Sequence, residues 1–252
     1  MSETVTAALL IIGNEILSGR TQDANLNFAA NFLGKIGVRL REVRVVPDIE
    51  EEIVAAVNAL RARYTYLFTT GGIGPTHDDI TSACVAKAFG VPLIRNPEAK
   101  RRLESHYQDG RTINEARLRM ADTPEGATLI DNPISTAPGF QIGNVFVMAG
   151  VPAIMQVMLT GIQDRLAGGA VVQIRTVTCE VPEGDIANGL EEVQKRWPEV
   201  EIGSYPSYRA GRFLTALVLR ATAVPDLESA TAEVAGLIRA LGQEPTVAVG
   251  NG

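Results

Sequence analysis

The period of the apolar positions changes repeatedly along the chain. Residues 4–12, TVTAALLII, form an unbroken apolar run, the pattern of a strand covered on both faces. Over 23–37, Leu26, Ala29, Ala30, Leu33 and Ile36 recur at helical spacing, and Gly37 stands where such a helix stops. Residues 38–46 alternate at period two, as a strand with one more polar face does. Ile49, Ile53, Val57 and Leu60 mark one side of a helix over 49–64. Residues 65–70 read as a third strand and 78–90 as a third helix ending at Gly90. Strands and helices alternating through short links predict a parallel sheet with right-handed crossovers. Beyond these, 97–108 and 113–121 read as helical, 132–140 as a turn-rich loop and 143–150 as a turn entering an apolar strand. A helix with Pro152 in its first turn follows over 151–166.

AGGA at 167–170 is the linker candidate, separating a domain at 1–167 from one at 171–252. The second segment reads as strand 171–181, helix 184–196, strand 200–205, strand 213–223, helix 226–241 and strand 245–249. That βαββαβ order predicts a small α+β module, split-βαβ or KH-like. Residues 168–252 hold 7 Lys and Arg against 11 Asp and Glu and lack the G-x-x-G clamp of an RNA-binding KH domain. The net charge of the chain is −6, which argues against a general nucleic-acid binder. The N-terminus is acidic where a signal peptide is basic, and its apolar run is too short to span a bilayer. Two cysteines, Cys84 and Cys179, occur without C-x-x-C or H-E-x-x-H, so zinc and disulfide frameworks are not expected. These features predict a soluble cytoplasmic protein with no nucleic-acid or membrane partner.

In an open parallel sheet, ligands sit beyond the carboxyl ends of the strands. The segments there are GNEILSGRTQDAN, VPD and GGIGPTHDD, and each carries an acid: Glu15, Asp48 and Asp79. Backbone N–H groups at Gly71, Gly72 and Gly74 suit phosphate oxygens. Convergent carboxylates suit a hard divalent cation that bridges to them. Each feature also has a purely structural reading. Asp48 with Glu51, and Thr76 with Asp79, have capping-box spacing. Asp78 complements a helix N-terminus, and the glycines suit a tight turn. The loop is neither a Walker A motif nor a Rossmann fingerprint, since no Gly-Lys-Ser/Thr follows and His77 replaces the third glycine. His77 reads either as a general acid or base or as a solvated loop residue. Ser18 and Ser135 lack the G-x-S-x-G setting of a hydrolase nucleophile.

TTGGIGPTHDDIT, residues 69–81, resembles the signature of the MoaB/Mog molybdopterin-binding fold family, and VVPD ending in Asp48 resembles its second acidic motif. IGNEILSGRTQDAN, NPISTAPGF and VFVMAGVPAIMQVM resemble more narrowly the N-terminal part of the CinA family, where a KH-type domain follows. The resemblance covers nearly the whole chain. It implies a three-layer α/β domain with a parallel sheet, then a smaller α+β, KH-like domain. It further implies a metal-dependent pyrophosphatase that splits ADP-ribose or FAD, with Asp48 and Asp79 as the catalytic and metal-binding pair. Gly13, Glu15, Gly71, Gly72, Gly74, Thr76, Asp78, Ser135 and Gly150 would surround the substrate. The cofactor implied is a divalent cation, Mg2+ or similar, with K+ as a candidate second ion, in a homo-oligomer. The MoaB/Mog branch implies molybdopterin binding and adenylyl transfer instead. Two departures, Ser135 for a usual glycine and Ile154 for a usual glutamate, raise a third reading, a nucleotide-binding sensor with weakened turnover. The deamidase domain of long CinA proteins is expected to be absent, and with it nicotinamide-mononucleotide deamidation.

The acidic balance of residues 171–252 generates one prediction. This segment, expressed alone, is expected not to bind RNA; micromolar, salt-dependent binding in a fluorescence-anisotropy titration would contradict it.

Overall fold

The first strand, β1 (Thr6–Ile12), is buried along its length from Ala7 onward, because both faces of the sheet around it are covered. A computed structural model describes residues 4–106, 113–209 and 211–251. After β1 come α1 (Asn14–Leu17), α2 (Asn25–Lys35), β2 (Arg39–Val46), α3 (Glu50–Arg63), β3 (Tyr66–Thr70) and α4 (Thr81–Phe89). The next stretch holds β4 (Leu93–Arg95), α5 (Pro97–His106), α6 (Glu115–Leu118), β5 (Asp122–Pro124) and β6 (Thr128–Ile130). β7 (Gly139–Ile142), β8 (Val145–Met148) and α7 (Pro152–Gly161) complete the first unit.

The main sheet has the order β2-β1-β3-β8-β7-β6. Its first four strands are parallel, and β7 and β6 are added antiparallel. On one face Ala7, Leu9 and Ile11 of β1 meet Ala29 and Leu33 of α2 and Met155, Met158 and Leu159 of α7. On the other, Ala8, Leu10 and Ile12 meet Ile53, Val57 and Leu60 of α3 and Cys84 and Val85 of α4. This is the expected three-layer architecture. A one-residue slip of β1 would exchange its two apolar sets between unlike helix surfaces, so the register is held from both sides. Because β2 lies on one side of β1 and β3 on the other, the chain reverses its winding direction at β1. The carboxyl ends of β1 and β3 flank that crevice.

The chain divides into two compact units, 1–169 and 170–252. The second contains β9 (Gln173–Cys179), α8 (Glu183–Arg196), β10 (Glu201–Arg209), β11 (Arg212–Ala221), α9 (Val224–Ala240) and β12 (Thr246–Asn251). Its sheet runs β10-β11-β9-β12, with every neighbouring pair antiparallel. Of the two topologies compatible with the sequence, that order is the split-βαβ one. α8 and α9 cover one face through Ile186, Val193, Leu227, Val234 and Ile238 on Val177, Leu217 and Leu219.

Several boundaries differ from the sequence expectations. β4, β5 and β6 have three residues each and β7 four, too short for a period-two pattern to register. β10 runs on through Pro206 to Arg209 where the sequence suggested a stop near 205. A proline is tolerated there because β10 is an edge strand, with no neighbour on its far side. α4 starts at Thr81 rather than 78, for a reason that belongs to the site below. Residues 107–108 of the expected helix 97–108 lie outside the described residues. Among those described, no helix is long and apolar enough to cross a membrane.

Two glycines predict opposite tolerances. Gly90 closes α4 in the left-handed region, at φ 67°, with open space around a built Cβ. Gly90→Ala is therefore expected to cost only the conformational penalty, about 1–2 kcal/mol. Gly71 has φ 100°, and a Cβ there would stand 2.1 Å from the carbonyl oxygen of Ile12. Gly71→Ala should lower the urea midpoint clearly more than Gly90→Ala; equal midpoints would show that the strand ends can move apart.

Candidate functional site

The loops that leave β1, β2, β3 and β8 open on the same sheet edge and enclose a cleft of about 560 Å³. From the first loop come Gly13 and Glu15, from the second Asp48, from the third Gly71, Gly72, Gly74, Asp78 and Asp79. Ser135 comes from the 132–137 turn and Gly150 from the β8–α7 link. The acids and glycines singled out from the sequence are thus brought together, from segments more than a hundred residues apart. Thr76 does not line the cleft itself but holds Asp79 at its edge.

Neither aspartate of the pair caps the helix that follows it in the chain. Asp48 Oδ2 accepts the backbone N–H of Asn14 at 2.9 Å, tying the end of β2 to the start of α1. The N-cap of α3 is Ile49, without any side-chain bond. Asp79 Oδ2 accepts both the backbone N–H of Thr76, at 2.8 Å, and its hydroxyl, at 2.5 Å. These two hydrogen bonds to one oxygen close a turn over 76–79, and helix begins only after it. The N-cap of α4 is Ile80, again without a side-chain bond. The capping-box reading is therefore corrected at both sites: the spacing matches, but each carboxylate is used across the loops or within a turn. Asp78 likewise precedes the helix and is half exposed in the turn. His77 is 95% exposed, and its Nδ1 lies 3.9 Å from Asp78 Oδ1. This is the solvated reading.

The glycines divide by role. Gly71 donates its N–H to Met148 O at 3.2 Å, extending the β3–β8 ladder. That amide is consequently not available to a phosphate, which corrects the expectation for Gly71. Its function is proximity: a Cβ on Gly150 would lie 3.2 Å from Gly71 Cα, and a Cβ on Gly71 would collide with Ile12 O. Gly72 and Gly74 are different. Among the described residues, no protein acceptor meets either of their N–H groups, nor that of Ile73. Gly72, at φ 66°, is backed by Thr81, whose hydroxyl donates to Gly71 O at 3.0 Å and whose N–H donates to Gly72 O at 2.9 Å.

Four positioning residues were not singled out from the sequence. Thr81 is one. Asn25, at the start of α2, donates from Nδ2 to Gly150 O at 2.8 Å and is buried. Asn132, also buried, accepts the N–H groups of Ile134 and Ser135 on Oδ1 and donates from Nδ2 to Ser135 Oγ and Ala137 O. It holds a turn in which Thr136 takes φ 61°, a strained conformation for a β-branched residue. The signal available in advance was Asn132 before Pro133, a turn-forming dipeptide. Arg119 donates to Pro75 O at 3.4 Å from outside the glycine loop.

The cleft lining carries Glu15, Asp48, Asp78 and Asp79 and no Lys or Arg. The Thr76 hydroxyl is first among the causes that hold the Asp78 carboxyl below the ordinary aspartate value of 3.8. Its own backbone amide and the pull of His77 follow. A hydroxyl has one proton, and the 2.5 Å geometry gives it to Asp79. With that proton on Asp79, the depression at Asp78 rests on its own backbone amide and on His77, and the charge is lost only as pH falls through the lowered value. Among the described residues, no three His, Cys, Asp or Glu side chains are gathered into a ready-made metal cage. An all-oxygen donor set still fits a hard divalent cation. Mg2+ in particular is usually held by one or two carboxylates plus waters and ligand phosphates rather than by a protein cage. The residues thus fit a cation that arrives with, or is completed by, an anionic ligand.

Comparison with known proteins agrees with this architecture. Residues 8–167 match the family described as probable molybdopterin binding domain, and 171–244 match the FAD synthase middle domain. A CinA-like protein of Desulfosudis oleivorans is 40% identical over 166 residues, which cover 64% of this chain and 40% of its own. A probable FAD synthase of Caenorhabditis elegans is 30% identical over 266 aligned residues, 94% of this chain and 51% of its own. The crystal structure of CinA from Thermoplasma acidophilum, of unknown function, superposes with a TM-score of 0.61 at 33% identity. It covers 65% of this chain and 99% of that one.

The bond between Asp48 and Asn14 predicts how two substitutions separate. Asp48→Asn keeps an acceptor oxygen and is expected to change unfolding free energy by less than about 0.5 kcal/mol. Asp48→Ala removes the acceptor and should cost about 0.5–1.5 kcal/mol. Urea unfolding of both variants checks this, and equal stabilities would show that the bond does not hold the two strand ends together.

Proposed function

Because the chain belongs to the molybdopterin-binding-domain family of MoaB/Mog type, and within it fits the N-terminal part of CinA, we propose that it is a metal-dependent hydrolase of a nucleotide diphosphate such as ADP-ribose or FAD. The observation that carries this reading is the pairing, in one cleft, of uncommitted backbone amides with carboxylates and no lining cation. Amides at Gly72, Ile73 and Gly74 suit phosphate oxygens. The carboxylates would repel the same oxygens unless a cation stood between them. The match of residues 171–244 to the FAD synthase middle domain supports a nucleotide over other phosphates.

Asp48 and Asp79 would hold the cation, each through the oxygen that is not already bonded to Asn14 or Thr76. What the cation supplies when bound is neutralisation of phosphoryl charge and a lowered pKa for a coordinated water. Glu15, whose carboxylate oxygens lie 2.5 Å from a Cβ built on Gly13, stands at the β1 end and would orient water or ligand there. Asp78, kept charged by its surroundings, is the fourth acid at the rim. Ser135, bonded to Asn132, and Ile154, on α7, line the opposite wall and would contact the nucleoside.

A second reading, pterin binding with adenylyl transfer, is favoured by the family description matched over residues 8–167. A sensor with the pocket but without turnover is motivated by Ser135 and Ile154. Metal-titrated hydrolysis of ADP-ribose and FAD decides among them. Expected is turnover that depends on added Mg2+ and falls more than tenfold in Asp79→Asn and in Asp48→Asn, a barrier increase above about 1.4 kcal/mol. The double variant should lose little more than either single one, because both residues serve one ion. Binding without turnover would favour the sensor, and a copurifying pterin identified by mass would favour the second reading.

A further inference from the structure

The cleft lining presents four carboxylates and no basic side chain, yet a diphosphate brings at least two further negative charges. A cation held by Asp48 and Asp79 would offset part of that charge; Asp79 itself stands against the glycine loop, its Oδ2 2.6 Å from a Cβ built on Gly74. Two arginines, of β4 and α5, are already committed to acids. Arg102 is bonded to Glu98 and to Asp131. Arg95 takes Asp122 through its Nε and meets Glu115 at 3.5 Å through Nη1.

The Arg95 pairing has a consequence for Arg119. Glu115 lies four residues before Arg119 and Asp122 three after it, the spacings at which helical ion pairs form. Both acids are drawn instead to Arg95. Among the described residues, Arg119 has no carboxylate partner, and its one hydrogen bond runs from Nη2 to the carbonyl oxygen of Pro75, between Gly74 and Thr76. The guanidinium is exposed and anchored on the glycine loop, with most of its five donors unused. Met120, the next residue, lines the cleft itself.

We propose that Arg119 recognises the phosphate end of the ligand at the glycine loop and supplies the positive charge that the lining lacks. A planar guanidinium presents paired N–H donors that match two phosphate oxygens, which an ammonium cannot do. The assignment deepens the diphosphate reading and rests on it for the identity of the nucleotide, though not for the phosphate itself.

The test is isothermal titration of the full chain with Mg2-pyrophosphate and with Mg-ADP-ribose, for wild type, Arg119→Ala and Arg119→Lys, together with turnover. Arg119→Ala is expected to weaken both ligands about tenfold or more, and Arg119→Lys to recover part of the loss. KM should rise far more than kcat falls, the pattern of lost uniform binding. The melting temperature should stay unchanged, because the side chain is exposed and bonded only to a loop carbonyl. Unaltered pyrophosphate affinity in Arg119→Ala overturns the proposal, as does a wild type that binds no pyrophosphate. A wild type that hydrolyses neither nucleotide but loses pyrophosphate on Arg119→Ala defeats the hydrolase reading and leaves this one standing.

Discussion

The structure depends on how closely three backbones approach at Gly71. The carbonyl of Ile12 ends β1, Gly71 ends β3 and Gly150 follows β8, and a methyl on Gly71 would stand 2.1 Å from that carbonyl. A parallel sheet keeps its strands apart by hydrogen-bond length, but the chain must leave each strand and turn to a helix layer. At the switch point the departing segments crowd, and only residues without Cβ allow them to leave together. Asn25 and Thr81 then fix the result from opposite faces, one by holding Gly150 O and the other by holding Gly71 O. The cleft is what remains between segments that cannot come closer.

That geometry gives the loop a chemistry as well as a shape. The Gly71 amide completes a ladder and is lost to ligands, while the three amides that follow meet no acceptor among the described residues. The acids are placed by the same economy of bonds. Asp48 and Asp79 each commit one oxygen to backbone or hydroxyl donors and keep the other. A carboxylate held by one oxygen loses little of its charge and most of its freedom, which is the state in which it binds a cation with least entropic loss. Among the described residues no ready-made metal cage is gathered, so under the proposed function affinity for the cation and for the anionic ligand would be coupled.

The fold was largely legible because its main elements carry strong periodicities. β1 reads as an unbroken apolar run because it is covered on both faces, and α2 and α3 show stripes because each is covered on one. Capping spacing misled at Asp48 and Asp79, since Asx and Glx spacings describe what a side chain can reach within its own segment. They carry no information about a competing donor such as Asn14, thirty-four residues away. β4 to β7 escaped notice because strands of three or four residues contain at most two full periods.

The sequence by itself determined the parallel α/β layering, the second α+β module and which loops would share an edge. These follow from local periodicity and from the rule that parallel strands deliver their loops to one side. Only the tertiary structure decided how those residues are used: that Gly71 is spent on proximity while Gly72 and Gly74 keep free amides, and that Asn132 strains Thr136 to shape a wall. It also decided that Arg95 takes Glu115 and Asp122, and that among the described residues Arg119 has no carboxylate partner. The physical reason is competition. A hydrogen-bond donor or a charge has several candidate partners in the chain, and only three-dimensional distance selects among them.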